Sequence, residues 1–169
     1  MSWTSTDYSH LQGEAFWAAL ATDLRLLLSS EDHPITTLAN ASAYIYHTLD
    51  QLNWAGFYLY DGKQLFLGPF AGKPACTTIA IGKGVCGTAA ERRETVVVDD
   101  VDEFPGHIAC DGDSRSEIVV PLIAGNGALL GVLDIDSPTL RRFQSADKTG
   151  IEQLAAVIID ILSQATVEL

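Results

Sequence analysis

The sequence predicts an α+β layer fold in which a central antiparallel sheet carries helices from both ends of the chain. Apolar residues recur at helical spacing near each terminus. Between those stretches the period shortens to that of strands. Two glycine-containing punctuations there, Asp61-Gly62 and Gly125-Asn126-Gly127, read as hairpin turns.

Taken in order, Phe16, Leu20, Leu24 and Leu27 place an amphipathic helix over about residues 13–29, preceded by a flexible extension over residues 1–12. Pro34, whose fixed φ suits a first helical position, opens a second helix, and Leu38, Ile45 and Leu49 continue its apolar face. Residues 55–60 and 64–67 flank Asp61-Gly62 as a pair of strands. Residues 77–81 and 95–98 are further short strands, separated by a helical turn over 85–91. Residues 117–123 and 128–135 form the last hairpin. Ile151, Leu154, Ile158 and Ile161 then give a final helix, with Ser145 as its expected N-cap. No repeat or linker divides the chain, so residues 1–169 read as a single domain.

Composition excludes several classes of function. A net charge of −12, with only ten Lys and Arg scattered along the chain, supplies no basic stripe for nucleic acid. No apolar run approaches the roughly 20 residues of a membrane span, and the first residues lack the basic start and apolar core of a signal peptide. With an odd number of cysteines and no export signal, the expected compartment is the cytoplasm, where disulfides are transient and catalytic.

Cysteine chemistry is the strongest functional signal. Cys76, Cys86 and Cys110 all lie in the middle of the chain, and Cys110 sits in residues 99–116, where no periodicity survives. Asp111, Asp113 and Glu117 follow it closely. Carboxylates raise the pKa of a nearby thiol, so this setting suits a substrate that brings its own positive charge, or a protonated carboxyl acting as general acid. If Asn126-Gly127 forms a two-residue turn, Glu117 stands opposite Asp136, with Asp134 on the same face. Three carboxyls at close quarters then force at least one pKa up. A slip of one residue, such as a bulge at Pro121 would cause, sends Glu117 to the other face. The alternative places both aspartates at a solvated strand end.

Weaker motifs receive weaker readings. His107 and Cys110 have an H-x-x-C spacing, but without a CxxC this is a thin zinc signal, and His107 reads as a loop residue shaping a pocket. Gly82-Lys83-Gly84-Val85-Cys86-Gly87-Thr88 lacks the spacing of a phosphate loop, and its glycines allow a tight turn into the short helix. Trp54, at the start of a strand, reads as core before it reads as a pocket wall.

Beyond these, Asn53-Trp54-Ala55-Gly56-Phe57-Tyr58, Leu67-Gly68-Pro69-Phe70, Gly84-Val85-Cys86-Gly87-Thr88, Gly106-His107-Ile108-Ala109-Cys110-Asp111 and Gly131-Val132-Leu133-Asp134-Ile135-Asp136-Ser137 resemble the free methionine-(R)-sulfoxide reductases. The resemblance runs from Phe16 to the final helix and includes all three cysteines; its departure is a slightly longer hairpin near Gly125. It implies a single GAF-like domain. It further implies that Cys110 is the nucleophile, Cys76 the main resolving cysteine and Cys86 a secondary or alternative partner. Glu117, Asp134 and Asp136 match the family's acidic pocket, and Trp54 matches the aromatic that packs on the substrate's methylthio end. The amides of Ile108, Ala109 and Cys110 would receive the substrate carboxylate.

The implied reaction is attack of Cys110 on the sulfoxide sulfur, giving methionine and a sulfenic acid that condenses with Cys76 to a disulfide, with thioredoxin as reductant. A protonated Glu117 or Asp136 would activate the sulfoxide oxygen. No metal or organic cofactor is required. The expected partners are free methionine sulfoxide and thioredoxin, with neither nucleic acid nor membrane, and the oligomeric state is open between monomer and homodimer. Two rival readings are a GAF module that senses a small molecule and a thiol switch that forms its disulfide without turnover.

Overall fold

A computed structural model describes residue 4, residues 6–108 and residues 110–165. Its elements are helices α1 (Gly13–Leu27), α2 (Pro34–Thr48), α3 (Gly84–Arg92) and α4 (Ser145–Gln164), with strands β1 (Trp54–Tyr60), β2 (Gln64–Gly72), β3 (Thr78–Ala80), β4 (Val96–Val98), β5 (Ser116–Ile123) and β6 (Leu129–Ser137). A 3₁₀ turn at Val101–Glu103 is the regular piece within the long loop before β5. The strands form one six-stranded sheet in the order β3-β2-β1-β6-β5-β4, and every neighbouring pair is antiparallel.

Strand alternation divides the core between the two faces of the sheet. Ala55, Phe57, Leu59, Ile118, Val120, Leu122, Leu133 and Ile135 point to one face, where α1, α2 and α4 cover them with Trp17, Leu20, Leu24, Leu38, Ile45, Leu154 and Ile158. Tyr58, Val119 and Val132 point to the other. There the cover is thinner, consisting of α3 through Val85, Cys86, Ala89 and Ala90, together with Val98 and Val101. Asp134 and Glu117 belong to this second face by the same alternation, so the fold places them under α3 and the long loop. No helix among the described residues is long and apolar enough to cross a membrane.

Several local features differ from the sequence reading. β2 runs on through Leu67-Gly68-Pro69-Phe70 to Gly72, because Gly68 and Pro69 together stand opposite Phe57 in a bulge that spares the proline a ladder hydrogen bond. The last helix begins one residue earlier than expected: Ser145 is helical and Gln144 is the N-cap. Asp147 supplies the reciprocal bond, its Oδ2 accepting from the Gln144 N–H at 2.8 Å. Pro34 opens α2 as expected, with His33 Nδ1 accepting from the Ile35 N–H at 3.2 Å. Ahead of α1, the Thr6 hydroxyl and the Tyr8 hydroxyl both donate to Asp23.

The β5–β6 hairpin reaches the expected register by another route. Its loop contains three residues, with Ala124 bonded to Ala128 at 2.8 Å and Gly127 in a left-handed conformation (φ 83°). A bulge between Leu122 and Ile123 then absorbs the extra residue, so that Glu117 pairs with Asp136 and Val119 with Asp134. Pro121 pairs regularly with Val132 and is not the bulge site. Two displacements cancel, and the carboxyls share one face.

Candidate functional site

A cavity of about 30 Å³ opens beneath α3 and the long loop, lined by Tyr58, Val85, Cys86, His107, Ile108, Cys110, Glu117, Asp134 and Asp136 among others. Each wall comes from a different element. β5 and β6 supply the carboxyls, α3 supplies Cys86, and the loop supplies His107, Ile108 and Cys110. Two glycines fix α3 close enough for this. Gly84 enters the helix at φ 58° and leaves room for Ile108 to pack on its α-carbon, and a methyl on Gly87 would run into the carbonyl oxygen of Ala80.

Cys110 is joined to Cys76 in a disulfide with a Cα–Cα distance of 5.5 Å and a sequence separation of 34. Cys76 lies in the crossover between β2 and β3, where its carbonyl accepts from the Tyr58 hydroxyl at 3.0 Å. Cys86 is free and 3% exposed. Burial pushes its thiol well above the ordinary range, and the nearby Asp134 and Glu117 add to that.

Glu117 and Asp134 are inside the protein and Asp136 is half-buried, which sets aside the solvated strand end. Glu117 and Asp134 are each 6% exposed. Burial, followed by the charge of its neighbours Asp134 and Asp136, pushes Glu117 well above the usual carboxyl range. Burial and then Asp134 do the same for Asp136. Asp134 is raised by burial to only about 6, because Cys86 and Glu117 offset part of the penalty. Burial thus pushes all three carboxyls toward their protonated forms, and they titrate as a coupled group. His107 places Nε2 at 3.7 Å from Glu117, but burial lowers its pKa while Glu117's is raised. Both shifts disfavour a charged pair at this contact.

Asp111 and Asp113 take a different part from the thiolate-suppressing one expected. The Asp113 N–H donates to Asp111 Oδ1 at 3.0 Å and Asn53 Nδ2 to Asp111 Oδ2 at 3.1 Å. The first of these is the largest influence holding the Asp111 carboxyl below its usual range. Lys73 bridges both aspartates, 3.3 Å from Asp111 and in contact with Asp113. These two charges are thus pinned and countered on the loop. Lys73 and Ser114, which accepts from Asn53 at 2.9 Å, carry no signal in the sequence, and Asn53 enters it only within a motif, because their partners lie far along the chain.

Trp54 is 2% exposed and sits behind the cavity wall. It stacks between Tyr58 and Phe70, and its indole N–H donates to the Lys73 carbonyl at 3.1 Å. Tyr58, which the sequence reading did not single out, is the aromatic that lines the cavity. Ile108 lies on the rim, half-exposed over Gly84. Ala109 falls outside the described residues. Among the described residues, the group best suited to hold a metal ion is Cys86, Glu117 and Asp134.

A model of the GAF domain matches residues 35–163. Free methionine-R-sulfoxide reductase of Escherichia coli (strain K12) is 48% identical over 88% of this chain and 89% of that protein. The protein of the same name from Saccharomyces cerevisiae is 45% identical over 89% and 87%. The structure of fRMsr of Staphylococcus aureus, in complex with substrate, superposes with a TM-score of 0.82 at 46% identity, covering 90% of this chain and 97% of that one.

Proposed function

The chain belongs to the free methionine-(R)-sulfoxide reductases, a family of GAF-domain proteins, and on that premise we propose that it reduces free L-methionine-(R)-sulfoxide to methionine through Cys110. The observation that carries the reading is the Cys76–Cys110 disulfide at the mouth of a cavity floored by buried, partly protonated carboxyls. Nucleophile, resolving thiol and acid then lie within one small volume.

In the reduced protein, the Cys110 thiolate attacks the sulfoxide sulfur while the sulfoxide oxygen takes a proton. Glu117 is the best-supported donor, since burial pushes its carboxyl well above the usual range and favours the protonated form. The oxygen then passes from the substrate sulfur to Cys110 as the new S–S bond and the old S–O bond break. Methionine thus leaves with its sulfur lone pair restored, and Cys110 is left as a sulfenic acid. The Cys76 thiol displaces that oxygen as water, forming the disulfide, so two thiols are oxidised for each sulfoxide reduced. Thioredoxin, by thiol–disulfide exchange, returns both thiols. Cys76 is better supported than Cys86 as resolving residue. The bond is formed by Cys76, and burial of the Cys86 thiol suppresses the thiolate that condensation needs.

Selectivity for the free amino acid follows from charge. Asp134 is the carboxyl whose pKa, about 6, leaves it ionised at neutral pH, and it faces the substrate ammonium with Asp136 beside it. The substrate carboxylate is received at the loop amides of Ile108, Ala109 and Cys110, and Trp54 supports the methylthio end through Tyr58.

Comparing free methionine-(R)-sulfoxide with its N-acetyl derivative, in a thioredoxin-coupled assay, tests this reading. Losing the ammonium–carboxylate contact costs roughly 2–5 kcal/mol, a drop in kcat/KM of about 30- to 5,000-fold. Comparable kcat/KM values for the two substrates would remove the role given to Asp134.

A further inference from the structure

We propose that Cys86, Glu117 and Asp134 form a binding site for a single zinc-class divalent cation, distinct from the Cys76–Cys110 redox pair. One ligand atom from each residue lies within 4.8 Å of the other two, and all three side chains are buried. A second observation points into the same space. Asp134 Oδ1 is buried and has no hydrogen-bond partner among the described residues, an arrangement that is costly unless something fills the gap.

The donor set selects the ion. A tetrahedral zinc with Zn–S near 2.3 Å and Zn–O near 2.1 Å places its ligand atoms about 3.4–3.6 Å apart. Each pair therefore has to close by at most about 1.4 Å from the separation observed, which is a matter of side-chain rotation. One thiolate with two carboxylate oxygens suits a borderline ion; calcium and magnesium call for more oxygen ligands and no sulfur. The cavity of about 30 Å³ has room for the ion and a water in the fourth position. No Lys or Arg is among its lining residues, so no protein cation competes for the carboxylates. The inference rests on this geometry alone and stands whatever substrate the protein takes. Where the reductase reading also holds, the loaded ion occupies the substrate's place and the metal-bound form is inactive.

The full-length protein with its Cys76–Cys110 disulfide intact is the right material, because Cys86 is then the one thiol left. Titration with Co²⁺ should load one ion per chain and give a near-ultraviolet thiolate-to-cobalt charge-transfer band that Zn²⁺ abolishes by displacement. Cys86→Ala should lose the band. Asp134→Asn, nearly isosteric, should weaken Co²⁺ affinity at least about 10- to 100-fold, the range seen for loss of even an outer-shell partner. Thermal unfolding of both variants without metal shows that the fold is retained. A band that survives in Cys86→Ala, an affinity unchanged in Asp134→Asn, or no stoichiometric binding by the unaltered protein would overturn the site.

Discussion

At Glu117 a carboxyl pushed toward its protonated form by burial faces the cavity that Cys110 also lines. Glu117→Gln keeps the shape and removes the transferable proton. Its single-turnover rate should fall on the order of 10²–10⁴-fold, as for loss of a general acid, while substrate affinity changes far less because Asp134 and Asp136 remain. Rapid-quench rates and binding measured on the same variant separate the two effects. An unchanged rate with badly weakened binding would move Glu117 from acid to ammonium anchor. The cysteines divide in the same manner. Cys76→Ser should release methionine once and then stall with thioredoxin, whereas Cys110→Ser should release none.

At the scale of elements, α3 matters because it holds Cys86 against the sheet, and at Gly87 it lies too close to the Ala80 carbonyl of β3 to admit a side chain. Gly87→Ala forces the helix away from Ala80 and should destabilise the protein by about 1–3 kcal/mol, the usual cost of overpacking. Urea unfolding checks this, and an unchanged midpoint would show that α3 is not wedged there. The same elements show what was legible in the sequence. Helices with an apolar stripe were read almost to the residue, since Pro34 and the spacing of Phe16, Leu20 and Leu24 are local signals. The register of β5 on β6 was read correctly for an incomplete reason, because a three-residue loop and a compensating bulge leave no local mark that distinguishes them from a two-residue turn. Lys73 on Asp111 and Asp113, and Tyr58 rather than Trp54 at the cavity wall, depend on how distant segments pack, which periodicity does not encode.

The whole molecule is a sheet with a thick helical layer on one face and a thin, chemically loaded cover on the other. Burying carboxyls under that cover makes stability depend on pH. The folded pKa values of Glu117, Asp134 and Asp136 lie above their unfolded ones, so the folded state binds more protons between the two, and stability falls as pH rises through that window. For Asp134 the window runs from 3.8 to about 6, and Glu117 and Asp136 carry the fall to higher pH. Glu117→Gln should flatten the decline above pH 4.5, the unshifted value of that carboxyl, leaving a protein at least as stable as the unaltered one at neutral pH although slower. Urea unfolding across a pH series would show a decline of unchanged steepness if Glu117 were not held protonated. The central claim is chemical, and one stoichiometric experiment addresses it. The reduced protein, freed of reductant, is mixed with excess free methionine-(R)-sulfoxide, and the methionine and remaining thiols are counted. The account predicts one methionine per chain, the loss of two thiols, and a disulfide mapping to Cys76 and Cys110 with Cys86 still free. Thiols lost without methionine, or three thiols intact and no methionine, would contradict it.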